Sequence, residues 1–247
     1  MTGFLFTLRN EFYKLRHRKK YIVLLVLGAA VCMMRWGGSA LINRFSSGTV
    51  TVKSNMLMEL LPFMVEILIP LILLMAVTDL FSSEYSADTL KACLLKPVSR
   101  FKLLAAKGAA AFLLGTGALL VMYGVCLVVQ GISGGSLAQW VPTLAAYAID
   151  LIPLAGVALL GILVNVSVKS PTLAMLLSLA IYAIMKYMGY YIAGSESFLF
   201  TSYAKWHSLF LGTALPLNVI LYKIGIVVGS ILILFSVSYI IFDKKDV

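Results

Sequence analysis

The stretch Gly108-Ala-Ala-Ala-Phe-Leu-Leu-Gly-Thr-Gly-Ala-Leu-Leu-Val-Met-Tyr-Gly-Val-Cys-Leu-Val-Val129 carries no charged side chain. A helix needs about 20 residues to cross a hydrocarbon core of about 30 Å, so this run is long enough to span. Runs of similar length and apolar character occupy Tyr21–Ile42, Met56–Thr78, Val141–Val168, Pro171–Ala193 and Tyr222–Phe242. Each must be helical, because an isolated strand or an irregular segment leaves backbone N–H and C=O groups unpaired in lipid. The expected fold is an all-α, polytopic integral membrane protein with six transmembrane helices. Composition agrees: 61% of the 247 residues are hydrophobic and 12% charged, against roughly 45–50% and about 25% in soluble domains. A water-soluble globule is excluded.

The formal charge is +10, from 20 Lys and Arg against 10 Asp and Glu. In a soluble chain that balance would point to nucleic acid, but here the basic residues stand beside the spans, where anionic headgroups are the counter-charge. Six lie in residues 1–20 and five in loop 79–107, whereas the opposite connections hold Arg44, Lys53 and Lys205. The positive-inside rule then places both termini in the cytoplasm of a multi-pass cell-membrane protein. Cys32 and Cys126 fall in apolar runs and Cys93 in a polar loop, a spacing that supports neither a disulfide framework nor a zinc site. The first apolar run lacks a small-residue cleavage site, so span 1 is expected to remain in the mature protein.

The whole chain, 1–247, reads as one transmembrane domain. Residues 1–20 form an amphipathic helix in the cytoplasmic interface, with Phe4, Leu5, Leu8, Phe12 and Leu15 on its apolar face. Loop 79–107 is expected to hold two short helices with a stop between them. Ala87, Leu90 and Leu94 share one face, Glu84 and Asp88 another, Pro97 cannot continue a helix, and Ser99 can cap the next one. The outer segment 194–221 is too interrupted to span and too apolar to be solvated, so it is expected to re-enter the outer leaflet. Tyr187, Tyr190, Tyr191, Phe198, Phe200, Tyr203 and Trp206 gather near that boundary as an aromatic belt.

Ionisable groups within spans are costly. Glu66, Asp150 and Lys186 are either a polar transport path or buried ion pairs, Glu66 or Asp150 with Lys186. Glu59 and Arg35 lie near span ends, where they can snorkel to the interface. Gly225 and Gly229 form a G-x-x-x-G pattern, expected to serve packing within the chain.

Loop 79–107 resembles the cytoplasmic loop between spans 2 and 3 of type-2 ABC transporter permeases. That loop carries an acidic residue, Gly-Thr-Leu, paired leucines, Pro-Val-Ser-Arg and a Lys before span 3. Glu84, Thr89-Leu90, Leu94-Leu95, Pro97-Val98-Ser99-Arg100 and Lys107 match it, with Asp88 where the family has Gly. The resemblance implies that Glu84 to Arg100 form a coupling helix seated on an ABC ATP-binding subunit, and that 194–221 holds short re-entrant helices. It also implies two permeases, identical or paralogous, facing two ATPases that carry ATP and Mg. The present chain holds no G-x-x-x-x-G-K-[ST] loop and no nucleotide site of its own, so it is not expected to be an enzyme. Size and compact loops are similar to those of bacterial permeases that export peptide antibiotics, lantibiotics or lipid-like amphiphiles. The competing readings are an ion-coupled secondary transporter, suggested by membrane acids and Pro-broken spans, and a non-transporting membrane adaptor or sensor component.

Overall fold

A computed structural model of the chain describes residues 2–45, 55–86, 99–133, 140–191, 199–203, 206–207 and 217–244. Every element among them is helical. In chain order these are α1 (Thr2–Arg16), α2 (Lys19–Phe45), α3 (Met56–Phe63), a π-helical turn (Met64–Leu68), α4 (Ile69–Leu80) and α5 (Ser82–Ser86). There follow α6 (Arg100–Ile132), α7 (Trp140–Ile149), α8 (Leu151–Ser167), α9 (Pro171–Tyr191), a 3₁₀ turn (Phe200–Tyr203) and α10 (Leu217–Asp243). Six of the resulting stretches are long and apolar enough to cross a membrane. The chain is therefore an all-α, multi-pass membrane protein with both described ends of the chain at one end of the bundle.

Two spans are composite. The second runs continuously from Met56 to Ser86, well past Thr78, and the fourth from Trp140 to Ser167 with a break at Asp150. The second span owes its π-turn to proline chemistry. Pro70 has no N–H to donate to the carbonyl of Glu66 one helical turn earlier, and the Tyr182 hydroxyl of α9 donates to that carbonyl at 2.8 Å. A side chain thus supplies the hydrogen bond that the backbone of span 2 cannot make.

The core lies along α4, whose residues are nearly all buried. α6 and α8 flank it, α2 lies on α6, α9 packs against α8 and α4, and α10 against α8. Close approach is possible because glycines sit where the flanking helices cross α4. A Cβ on Gly115 of α6 would come within 2.5 Å of Leu73, and one on Gly161 of α8 within 2.8 Å of Leu74. The outer helices α2, α9 and α10 instead expose large apolar side chains such as Val26, Leu176 and Leu232, as lipid-facing surfaces do. Gly225 and Gly229 belong to this exposed group. A Cβ at either would meet nothing within 4 Å, so the G-x-x-x-G pattern does not serve packing against the described residues, contrary to the sequence expectation.

Gly115→Val should cost about 1–3 kcal/mol through overpacking against Leu73. Gly117→Val, two residues along and with nothing within 4 Å of its Cβ, should stay within about 0.5 kcal/mol. Thermal melts of the detergent-purified variants separate the two; equal midpoints would mean that α6 and α4 do not meet as described.

Candidate functional site

α1 turns most of its expected apolar face toward the bundle. Leu15 is buried and Leu8 and Phe12 pack onto the core, mostly through α6, whereas Leu5 is 62% exposed. The cause is Glu11. It follows Leu8 by three residues and precedes Leu15 by four, so it shares their face, and turning that face inward buries the carboxylate.

Its counter-charge is Lys107 of α6, which is 0% exposed. The Lys107 ammonium donates to Glu11 Oε2 at 3.1 Å, to Glu84 Oε2 at 2.6 Å and to the Leu80 carbonyl at 3.0 Å. Each ammonium hydrogen has an acceptor. Lys14 of α1 completes the ring, reaching Glu11 Oε1 at 3.0 Å and Glu84 Oε1 at 2.8 Å. Partial burial opposes the positive charge on Lys14, yet the Glu84 and Glu11 carboxylates outweigh it and hold its pKa above the usual lysine value. Two acids and two bases from α1, α5 and α6 therefore neutralise one another at the foot of the bundle.

A second node lies beside it. Asp79, at the end of α4, accepts from Lys20 at 2.7 Å and from the Tyr21 hydroxyl at 2.5 Å, with Arg18 at 3.1 Å. The joint between α1 and α2 is thereby tied to span 2. Ser82 ties the same region to α8, donating to the Asn165 side chain at 2.7 Å.

The start of α6 is anchored differently. Ser99 has extended backbone and its hydroxyl accepts from the Lys102 amide, capping the helix as its sequence suggested. The Arg100 guanidinium donates to the Asp243 carbonyl at the end of α10. Phe101 packs edge-on against Phe235 and Tyr239, and Phe81 against Phe242. Glu84 and Arg100, the outer members of the predicted coupling segment, are thus fastened to α1 and α6 on one side and to α10 on the other. Asp88, Thr89, Leu90, Leu94 and Pro97 lie outside the described residues.

Within the spans, Lys186 and Glu66 form an ion pair at 3.0 Å. Asp150 takes a different partner: His207 Nδ1 lies 2.6 Å from its Oδ2. The sequence offers Lys186 as a partner for either acid; the structure gives Lys186 to Glu66 and sets the buried His207 beside Asp150. Trp206 and Phe200 are buried there too, so they are core residues and not members of the aromatic belt. Arg35 and Glu59 pair at 2.8 Å while remaining partly exposed. Cys32 and Cys126 touch, sulfur to sulfur at 3.4 Å.

Glu11, Lys14, Asp79 and Tyr21 escaped the sequence reading as site residues. For Glu11 the signal was present, an acid on the apolar stripe of an amphipathic helix. For Asp79 and Tyr21 the pairing joins residues 58 positions apart, a separation that periodicity cannot register.

A family model described as ABC-2 family transporter protein matches residues 7–186, more than half of the chain. The match takes in α1 from Thr7 onward, the foot of span 2 and the start of span 3, and hence the whole Glu11–Lys14–Glu84–Lys107 ring. No curated protein matches the chain.

Lys107→Met should destabilise the bundle by about 3–5 kcal/mol, because it leaves two buried carboxylates short of a cation. Arg35→Ala removes a half-exposed ion pair and should cost about 1 kcal/mol or less. The measurement is the unfolding midpoint in detergent, with Glu11→Gln combined with Lys107→Met as the cycle that isolates their coupling.

Proposed function

The chain belongs to the ABC-2 transporter family, and on that premise we propose that it is the permease subunit of an ATP-driven exporter whose coupling segment is Glu84 to Arg100. Members of this family are membrane subunits that work with an ABC ATP-binding subunit. ATP and Mg would be bound on that partner, and the present chain would supply the path. Two copies of the permease, or this chain and a paralogue, would face two ATPases. The charge distribution supports a cell-membrane orientation with the charge-network end in the cytoplasm. A bacterial source and an amphiphilic cargo such as a peptide antibiotic or lipid-like molecule follow from the resemblance alone.

One observation supports the coupling assignment: Glu84 and Arg100, the two ends of the segment, are both tied to other helices. A push delivered between them would pass through Glu84 to Lys107 and Lys14, and through Arg100 to the end of α10. α1, α6 and α10 would be displaced together. ATP-driven closure of the partner can shift the permease between inward and outward states only by contacting those states differently. A segment fastened at both edges can convert such a difference into helix movement.

Arg100→Ala and Glu84→Gln should each lower cargo-stimulated ATP hydrolysis several-fold while the chain still inserts and still binds its ATPase. A partner ATPase that remains bound and fully stimulated after both substitutions would sink the docking assignment. The Glu66–Lys186 pair is the feature that favours an ion-coupled carrier instead. Flux into vesicles driven by an ion gradient, with no ATP-binding subunit present, would select that reading.

A further inference from the structure

Cys32 of α2 and Cys126 of α6 are 94 positions apart in the sequence, yet their sulfurs lie 3.4 Å from each other and both residues are buried. The contact belongs to a close crossing. One turn earlier on each helix, a Cβ at Gly28 would come within 3.1 Å of the Met122 side chain, at the same offset of 94 residues. α2 and α6 therefore run parallel in matched register over this turn, and the glycine lets them approach. A disulfide has an S–S distance of about 2.0 Å, so the sulfurs need to close by only about 1.4 Å.

Two reactions are open to such a thiol pair. Holding a metal ion would require thiolates, and unhydrated charge inside a membrane span is costly. Among the described residues no third His, Cys, Asp or Glu joins the pair as a ligand. Oxidation to a disulfide instead gives a neutral product. Buried thiols are inert toward aqueous reagents, but here lipid is close at hand: Met33 and Met34, which follow Cys32 on α2, are 54% and 67% exposed. An apolar two-electron acceptor dissolved in the bilayer, such as a quinone or an azo compound, is the oxidant that fits this position. In that step both S–H bonds break and one S–S bond forms. The acceptor takes up two electrons and two protons, leaving as the hydroquinone or hydrazine.

The bond would change how α2 is held. At its foot α2 is fastened to span 2, through Lys20 and Tyr21 on Asp79. Cys32 stands about 18 Å further along the helix. Beyond it, Arg35 ties α2 to Glu59 of α3 through a partly exposed pair. Neither fastening joins α2 to α6, where the reduced helix rests on side-chain packing such as that of Gly28 on Met122. A covalent link at Cys32 would fix the two helices to each other in mid-span.

We propose that Cys32 and Cys126 are an oxidation site, converted by a bilayer-dissolved two-electron acceptor into a disulfide that locks α2 onto α6 and slows the transport cycle. The locking clause is independent of the permease reading; the clause on the cycle rests on it. The test uses the chain with Cys93→Ala, so that the pair alone remains, expressed with its ATP-binding subunit. Membranes are treated with diamide, a membrane-permeant azo compound, or with oxidised glutathione, which is charged and stays in water. Free thiols are then blocked with N-ethylmaleimide, the chain is denatured and reduced, and the recovered thiols are tagged with a polyethylene glycol maleimide.

Diamide should yield chains bearing two tags and running as monomers on a non-reducing gel, at least tenfold faster than oxidised glutathione does. Cys32→Ala with Met33→Cys, which moves the thiol to the exposed face of α2, should yield none. No double tagging with diamide overturns the site, and so does a disulfide that joins two chains or one that forms equally well from Met33→Cys. Equal rates with the two oxidants overturn the bilayer route. ATP hydrolysis by the complex should fall at least fivefold after diamide and recover with dithiothreitol, while Cys126→Ala should lose none. Double tagging with unchanged hydrolysis removes the effect on the cycle and leaves the disulfide. A chain that forms the disulfide but neither binds nor stimulates an ATP-binding subunit removes the permease reading alone.

Discussion

A lysine ammonium sealed inside a helical bundle is tolerable only if protein atoms replace the water it has lost, and Lys107 is such a group. Its ammonium is met by Glu11, Glu84 and the Leu80 carbonyl. Those acceptors come from three stretches of chain, so the requirement of one side chain determines where α1 lies, how α1 is rotated and where span 2 ends. Lys14 then neutralises the charge that a second carboxylate would leave over. The foot of the bundle is built around this ring.

The spans were legible because a membrane imposes a length and a polarity on each crossing, and both can be read from consecutive residues. Their ends were less legible. Span 3 begins at Arg100 and not near Gly108, since a polar cap and a buried lysine extend the helix beyond the purely apolar run. α1 was recognised as amphipathic, but the face assigned to it included Leu5, which the structure exposes. Hydrophobicity alone ranks Leu5 above Glu11 as an inward residue; only the partner on α6 reverses the order. The pairing of Asp150 with His207 was hidden for the same reason. Nothing within either local sequence names the other, and the connection holding His207 looks like an interfacial segment until its burial is known.

Backbone chemistry ties these remote pairings together. Pro70 withholds a donor from the Glu66 carbonyl, the helix loosens into a π-turn, and Tyr182 fills the vacancy. The same turn presents the Glu66 carboxylate to Lys186 one helical turn beyond Tyr182 on α9. A proline, a tyrosine and an ion pair thus fix the approach of α9 to span 2. Small residues do the corresponding work on the other side, where Gly115 and Gly161 admit Leu73 and Leu74. Span 2 is consequently held on both flanks, while α2 and α10 keep most of their apolar surface for lipid or for another chain.

The charges at the two ends of the bundle are arranged differently. At the terminus-bearing end, lysines with permanent charge bridge carboxylates on several helices, and removing one helix leaves partners behind to compensate. At the far end the described charges form separate pairs, Glu59 with Arg35 and Asp150 with His207. A network with many cross-links moves as a unit, whereas a one-point fastening is either made or broken. If a force enters near Glu84 and Arg100, the first end has the connectivity to carry it into α1, α6 and α10 together.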